Sequence, residues 1–312
     1  MKISIIIPVY NEQDSIGLLI KKIITLEKEM PNNLIEIIFV DDGSNDHTNQ
    51  ILRKESQNNS NIKIICLTRN YGQTAAITAG IDMADGDVLI TMDADLQNDP
   101  SDIPLLIQKL DEGYDVVNGW RQKRNDKYFS RVLPSKLANW IISKISGVEL
   151  HDYGCTLKAY RKEILEGVKL YGEMHRFIPI YIKWQGGKVI EVPVKHHHRM
   201  YGKSKYGIFR TISVIADLIF LKFMDKQFVH PIHLFGGFAL INFGLSFLSF
   251  FVMVYFKYFL KGSFIQTPLP QLIVLFVMVG MLSLFMGFIA EILMRTYFES
   301  QNKKSYQIRE EL

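Results

Sequence analysis

Only two cysteines, Cys66 and Cys155, occur in the chain. Two thiols cannot build a disulfide framework, as expected of a reducing compartment. There is no G-x-x-x-x-G-K-[ST] phosphate loop, which excludes a P-loop ATPase. There is no G-x-G-x-x-G either, so the dinucleotide fingerprint is missing. An excess of one charge is also lacking. Thirty-six Lys and Arg against 32 Asp and Glu leave a formal +4, too modest to suggest a nucleic-acid partner. Internal repeats and low-complexity linkers are absent. No signal peptide is expected, because the opening Ile3–Val9 run is short and broken by Pro8.

Hydropathy is uneven. Residues 1–225 mix charged and apolar side chains as a soluble domain does. Residues 232–256 and 271–290 then carry no Asp, Glu, Lys or Arg. Each can cover a hydrocarbon core, which takes about 20 residues of helix. Arg210, Lys222 and Lys226 precede the first run, and Arg295, Lys303, Lys304 and Arg309 follow the second. Only Lys257 and Lys261 lie between them. The positive-inside rule therefore predicts an inner-membrane protein with both termini cytoplasmic. Tyr206–Phe223 has one apolar face, with Arg210 and Lys222 elsewhere, and is expected as an interfacial helix. The expected domains are 1–205, juxtamembrane helices over 206–230, and two transmembrane helices with a short tail over 231–312. Glu291 and Arg295, four apart on the last helix, are expected to pair.

Within the first region, Ser4–Val9, Ile35–Val40, Ile62–Leu67 and Val88–Met92 are short runs rich in Ile and Val. Such runs read as strands buried on both faces. Helical spacing predicts helices from Asp14/Ser15 to Glu29 and over Thr48–Ser56, Gln73–Met83, Asp102–Glu112 and Pro134–Ile145. Strands are also expected at Asp115–Asn118 and Lys188–Lys195, with a basic loop over Gly119–Arg131. This alternation implies an α/β fold with a mostly parallel, Rossmann-like sheet.

Polar residues gather after the strands. Pro8-Val9-Tyr10-Asn11-Glu12 follows the first, Asp41-Asp42-Gly43-Ser44 the second, and Asp93-Ala94-Asp95-Leu96-Gln97 the fourth. In a parallel α/β sheet these ends share one edge, where ligands bind. The last set offers hard oxygen ligands, suited to Mg²⁺ or Mn²⁺ shared with a diphosphate. An acidic turn in solvent, and a helix cap at Ser44 or Asn45, are the plainer alternatives for these motifs. His196-His197-His198 invites a metal reading, but consecutive strand residues point to opposite faces, so a polar strand end near the acceptor site is expected.

Ile-Pro-Val-Tyr-Asn-Glu, Val-Asp-Asp-Gly-Ser, Asn70-Tyr71-Gly72-Gln73 and Asp-Ala-Asp-Leu-Gln, in this order, resemble family 2 glycosyltransferases of the GT-A fold. Asp152-Tyr153-Gly154-Cys155, Ala159-Tyr160-Arg161 and Arg199-x-x-Gly202-x-Ser204-Lys205-Tyr206, followed by two spans, resemble the polyprenyl-phosphate branch. That branch includes dolichyl-phosphate mannose synthases and undecaprenyl-phosphate glucosyl and aminoarabinose transferases. The Asn-Tyr-Gly-Gln, Asp-Tyr-Gly-Cys and Phe177-Ile178-Pro179-Ile180 forms are most similar to the formamido-arabinose transferases.

The resemblance implies that Pro8, Tyr10, Asn11, Glu12, Asp41, Asp42, Gln73 and Asp93 surround the nucleotide sugar, with UDP the expected nucleotide. It implies that Asp93, Asp95 and Gln97 hold the metal. Arg121, Arg131, Ser135, Arg199 and Lys205 are implied to grip the acceptor phosphate; Arg124 and Lys203 are further basic candidates. Asp152 is implied as the base, with Asp95 the other catalytic residue. A phosphate monoester has a second pKa of about 6 and is largely ionised already. Orienting Arg199 or a Lys is therefore an open second role for Asp152.

The expected activity is transfer of one sugar to undecaprenyl or another polyprenyl phosphate, metal-dependent and inverting. A processive polysaccharide synthase is the first alternative, but no Gln-x-x-Arg-Trp motif and no further spans occur. The others are a non-catalytic subunit binding nucleotide or lipid, and a nucleotidyltransferase, whose Gly-rich N-terminal loop is missing. A homo-oligomer is left open.

Overall fold

The computed structural model describes residues 1–122, 133–165, 174–198, 231–259 and 267–300, together with the single residues 168, 170, 172 and 200. Arg124, Arg131, Arg199, Lys203, Lys205 and the Tyr206–Phe223 helix lie outside the described residues. Ser135 falls in the first turn of a helix, with its side chain outside the description, as is that of Arg295. The chain divides into two compact units, Met1–Phe220 and Leu221–Leu312. That boundary falls within the expected juxtamembrane segment.

The first unit alternates strands and helices. They run β1 (Lys2–Val9), α1 (Ile16–Glu29), β2 (Leu34–Asp41), α2 (Thr48–Asn58), β3 (Ile62–Cys66), α3 (Gln73–Met83) and β4 (Val88–Thr91). Then follow α4 (Ile103–Asp111), β5 (Val116–Trp120), α5 (Leu133–Ser146), β6 (Lys158–Arg161), α6 (Lys162–Leu165), α7 (Ile178–Trp184) and β7 (Val189–Pro193). The sheet order is β3-β2-β1-β4-β6-β5-β7. β2, β3 and β4 extend β1 in parallel fashion, and β7 runs parallel to β5. β6 is antiparallel to both β4 and β5.

Two cores form because strand side chains alternate between faces. Ile3, Ile5, Ile7 and Val9 of β1 point to one layer, with Ile16, Leu19, Ile20 and Ile23 of α1. Ile6, Ile38 and Leu89 point to the other, with Ala76 of α3 and Ile178 and Ile182 of α7. Each buried Ile or Leu contributes about 1.5–3 kcal/mol. The all-apolar runs in β1 and β2 thus satisfy both faces of a central sheet.

Strands β1–β4 lie where the sequence predicts them. β6 is a strand beyond those expected. Its four residues, Lys-Ala-Tyr-Arg, are too short and too mixed to show a period. Its reversal brings the segment before it, Asp152–Leu157, to the same edge as the ends of the parallel strands.

The second unit contains α8 (Pro231–Phe259) and α9 (Leu269–Ser300). The membrane-length stretches are Ile232–Phe259 and Leu269–Leu293, of which only 17% and 11% of the most apolar window is buried. A soluble core helix would be mostly covered, whereas these two are long, apolar and uncovered enough to cross a membrane. The two helices pack antiparallel. A side chain at Gly280 would meet the Phe243 ring at 2.7 Å, and one at Gly287 would meet Phe235 Cβ at 3.0 Å. Ser246 Oγ donates to Ile273 O at 3.2 Å, a polar contact between helices of the kind lipid favours.

Candidate active site

Because the chain returns from β3 to place β4 beside β1, a crevice opens at the C-terminal ends of β1, β2 and β4. One wall is the loop after β1. Asn11 adopts φ 52°. Its N–H donates to Ser44 Oγ at 2.9 Å, and its Oδ1 accepts Asn45 N–H at 2.8 Å. Glu12 N–H donates to Thr48 Oγ1 at 2.9 Å, while its Oε2 accepts Ser15 Oγ at 2.9 Å. The polar residues after β1 and β2 therefore hold one another.

Asp41 and Asp42 are both buried, and they do different things. Asp41 Oδ1 accepts Ser44 N–H at 2.9 Å and Oδ2 accepts Asn49 Nδ2 at 2.9 Å, which fixes the turn into α2. Asp42 accepts Tyr71 N–H at 2.7 Å and Gly72 N–H at 2.9 Å, which draws the loop before α3 across the crevice. Gly43 makes that approach possible. Its φ is +73°, and a Cβ there would lie 2.6 Å from the Arg69 carbonyl carbon. Both carboxylates keep further lone pairs, so a nucleoside can still be bound by them.

The acid motif begins just beyond β4. Gln73 Nε2 donates to Asp93 Oδ1 at 2.8 Å. Asp95 is buried, and its Oδ1 accepts Gln97 N–H at 3.1 Å, closing a tight turn in which Leu96 takes φ 61°. The chain after β7 runs alongside. His197 N–H donates to Gln97 O at 2.9 Å, and Asn98 pairs with His196 in an antiparallel bridge. The three-histidine segment therefore lies directly against Gln97–Asp99. His197 Nε2 contacts Asp99 Oδ2 at 2.8 Å. Burial raises the Asp99 pKa, but His197 and Ser101 outweigh it and bring it down to about 2.

The donor set of Asp93, Asp95 and Gln97 suits a hard divalent cation. All three supply oxygen, and Asp95 is held in place by its own turn. Among the described residues no group of three or more His, Cys, Asp or Glu side chains could form a metal cage by itself. A site with few protein ligands fits an ion that keeps waters and takes substrate phosphates.

Of the basic residues expected to face the acceptor, Arg121 is described, and it meets Asp152 further along the edge. Arg121 follows β5, and its Nε and Nη2 donate to Asp152 Oδ2 and Oδ1 at 2.7 and 2.9 Å. Asp152 also accepts the N–H groups of Arg121 at 3.3 Å and Gly154 at 3.1 Å. Burial disfavours the guanidinium charge, but the Asp152 carboxylate dominates and pushes the Arg121 pKa above its ordinary value. Cys155 and Asp93 add to that push, so the metal-side acid and this cation lie within electrostatic reach. A bidentate Arg–carboxylate pair is among the strongest polar contacts a protein makes.

Three residues of this region carry no motif. Glu191 of β7 accepts the N–H groups of His151 at 2.8 Å and Asp152 at 2.9 Å, and takes Asn118 Nδ2 at 3.2 Å. It also contacts His151 Nδ1 at 2.9 Å, while the His151 ring stacks on Trp120 at 4.3 Å. Glu191 thus anchors the loop that carries Asp152. Lys158 opens β6 and is buried; its Nζ donates to Tyr153 O at 3.2 Å and Arg176 O at 3.3 Å. Burial, helped by Arg176 and Arg121, lowers its pKa to about 8 against the opposite pull of Cys155 and Asp152. The Cys155 thiol is pushed up to about 12 by burial, which rules it out as a nucleophile at neutral pH. Arg176 is the third.

An open α/β sheet with carboxylates at its crevice, an Arg–Asp ion pair further along its edge and two membrane-length apolar helices fit the class of membrane-attached transferases. More particularly, the chain belongs to glycosyl transferase family 2, whose model matches residues 4–168. It is 40% identical over 317 residues to a dodecaprenyl-phosphate galacturonate synthase of Rhizobium johnstonii, covering 99% of this chain and 93% of that protein. It is 37% identical over 311 residues to an undecaprenyl-phosphate 4-deoxy-4-formamido-L-arabinose transferase of Edwardsiella ictaluri, covering 98% and 93%. The fold is shared with glucosyl-3-phosphoglycerate synthase from Mycobacterium tuberculosis, solved with Mn²⁺, UDP and product. The TM-score is 0.55 at 18% identity, over 71% of this chain and 79% of that one. A mannosyltransferase from Pyrobaculum calidifontis, solved with GDP-mannose and Mn²⁺, gives a TM-score of 0.52 at 19% identity, over 71% and 66%. These similarities bear out the GT-A fold expected from the motifs, and the chain is a membrane protein.

Proposed function

We propose that this protein transfers one sugar from a nucleotide diphosphate sugar, UDP-linked, to a polyprenyl phosphate at the membrane surface, with inversion. The observation that carries the reading is the placement of Arg121, locked by Asp152, on the same sheet edge as the acid motif. A diphosphate at the acid motif and a lipid phosphate at Arg121 would then lie along one sheet edge. The two relatives over nearly the full length both have polyprenyl-phosphate names, though their sugars differ. The donor sugar is therefore not carried over from either.

Pro8, Tyr10, Asn11, Glu12 and Asp42 line the nucleoside side, with Asp41 shaping the turn behind them. Asp93, Asp95 and Gln97 would hold Mg²⁺ or Mn²⁺, which would neutralise charge growing on the departing diphosphate. An oxygen of the lipid phosphate attacks the anomeric carbon from the face opposite the leaving group. The new C–O bond forms as the bond to the diphosphate breaks, and that electron pair leaves on the diphosphate. Arg121 orients the attacking phosphate. Asp152 serves it by holding the guanidinium in place, since both its oxygens already accept hydrogen bonds. The attacking phosphate is largely ionised at neutral pH and needs no strong base. Arg131, Ser135, Arg199 and Lys205 complete the phosphate grip in this reading. The positive flanks of the spans support a sheet domain and both termini on the cytoplasmic side.

The test combines purified protein, a panel of UDP-sugars, undecaprenyl phosphate and Mn²⁺ or Mg²⁺, with product lipid read by mass spectrometry. A single-sugar glycolipid that disappears on chelation is expected. Asp95→Ala should lower turnover by roughly 10³-fold or more while the protein stays folded. Product formed equally well in chelator, or by Asp95→Ala, would overturn the metal assignment.

A further inference from the structure

We propose that Thr91, Lys158, Asn118 and Glu191 form one polar row across four neighbouring strands that positions the acceptor side of the site. The row fixes the segment from His151 to Thr156 and, through it, the Arg121–Asp152 pair. Lys158 of β6 pairs in register with Thr91 of β4 on one side and with Asn118 of β5 on the other. Asn118 in turn pairs with Glu191 of β7. Residues in register on neighbouring strands share a face of the sheet. Thr91, Lys158 and Asn118 are buried, and the Glu191 side chain is 9% exposed. The next row into the sheet is apolar: Ile90, Ala159, Val117 and Ile190. Lys158 is the first residue of β6, so the polar row is the last to cross all four strands.

Every member directs its side chain at the backbone of the same short segment. Glu191 accepts the His151 and Asp152 N–H groups at 2.8 and 2.9 Å. Asn118 Nδ2 donates to Asp152 O at 2.9 Å, Lys158 Nζ to Tyr153 O at 3.2 Å and Thr91 Oγ1 to Thr156 O at 2.8 Å. The chemistry is sorted along the row: the acid meets N–H groups, while amide, ammonium and hydroxyl meet carbonyls. Five backbone groups between residues 151 and 156 are thereby tied to the sheet.

As plain structure the arrangement is unfavourable. Asn118 Oδ1 is buried with no hydrogen-bond partner among the described residues. Lys158 carries an amine into the interior, where burial lowers its pKa. A hydrophobic row would avoid both penalties. The polar row supplies instead a turn whose backbone cannot shift against β5. Asp152 then stays where its two oxygens reach Arg121, at 2.7 and 2.9 Å. A binding group is held in place only when the residues behind it are themselves fixed. That the pair serves a phosphate acceptor rests on the transferase reading; the row itself rests on the register and the hydrogen bonds.

The experiment uses the full chain in detergent with two readouts. One is hydrogen–deuterium exchange of the 151–156 amides. The other is equilibrium binding of farnesyl phosphate, farnesol, and UDP with Mn²⁺. Asn118→Leu and Lys158→Met, each close in size to the residue replaced, should speed exchange over 151–156 by roughly 10-fold or more. They should weaken farnesyl phosphate by roughly 5–50-fold, as expected when a buried group loses its partner. Farnesol and UDP should change by less than about twofold. Thr91→Val, farthest along the row from Asp152, should have the smallest effect. Glu191→Gln, which keeps one accepting oxygen, should lose less than Glu191→Leu. Unchanged exchange over 151–156 in Asn118→Leu and Lys158→Met, with folded protein by circular dichroism, would overturn the row. Faster exchange with farnesyl phosphate and UDP weakened alike would overturn its tie to the acceptor. A wild type that makes no glycolipid from any UDP-sugar defeats the transferase reading, and the exchange comparison still decides the row.

Discussion

The two halves of the sheet edge fix their loops alike but differ in what else their carboxylates hold. On the β1–β4 half, buried carboxylates hold loops by accepting backbone N–H groups, as Asp42 does from Tyr71 and Gly72. On the β5–β7 half, Glu191 and Asp152 accept backbone N–H groups too, but Asp152 also grips a cation, Arg121. In the proposed reaction the first half would receive a metal and a diphosphate, which needs acids whose positions are set but whose outer lone pairs stay available. The second would receive a phosphate, which needs cations that cannot swing away. The comparison teaches that Asp152 belongs functionally with the arginine it grips rather than with the acids of the donor side.

The hardest blow to the acceptor half is Arg121→Ala. It strands a buried carboxylate at a cost of about 3–5 kcal/mol, and glycolipid formation should drop by at least roughly 100-fold. Adding Asp152→Leu should return most of the stability, read by thermal melting in detergent, but none of the turnover. Turnover recovered by the double variant would erase the distinction between the halves. The donor half is probed by Asp42→Asn. Loosening the Tyr71–Gly72 loop should cost about 1–2 kcal/mol. It should raise the KM for nucleotide sugar several-fold with the acceptor KM unchanged; a rise in both would mean that the halves are not independent.

The mildest test is a pH series on Lys158→Met. The Lys158 ammonium ordinarily titrates at 10.5 and is lowered to about 8 in the fold. Between those values the unfolded chain binds the extra proton, so the Lys158 contribution to stability rises with pH there and is flat below. The variant should lose that rise, measured by unfolding midpoints across the window. An unchanged slope would place Lys158 in a solvated setting.

The donor half could be read in the sequence because its signal is local. An apolar run buried on both faces, ending in acids, states both the strand and the direction in which it points. The two spans were legible for a similar reason, since length and lack of charge suffice. The acceptor half depends on tertiary order. Glu191 sits in Val-Ile-Glu-Val-Pro, where alternation alone gives it no special place; it reaches the Asp152 N–H because β7 adds beside β5. Arg176 and Lys158 are isolated basic residues that acquire meaning only when β6 runs backwards between β4 and β5. The resemblance names Arg121 and Asp152 but not their mutual grip; for Asp152 the sequence leaves Arg199 or a Lys open as a partner.

The reversed strand also works as a ruler. Lys158 stands in register with Thr91 on one side and Asn118 on the other, two residues before Asp93 and three before Arg121. Strands in a sheet are spaced by about 4.8 Å, so β4 and β5 are separated by about 10 Å through β6. Hydrogen-bonded backbone, rather than loop conformation, thereby sets the span between the metal-side acids and the phosphate-side cations. Loops at the edge can change to admit a different sugar or lipid without altering that span. A transferase built this way can diversify in what it joins while keeping constant how far apart the two partners are held.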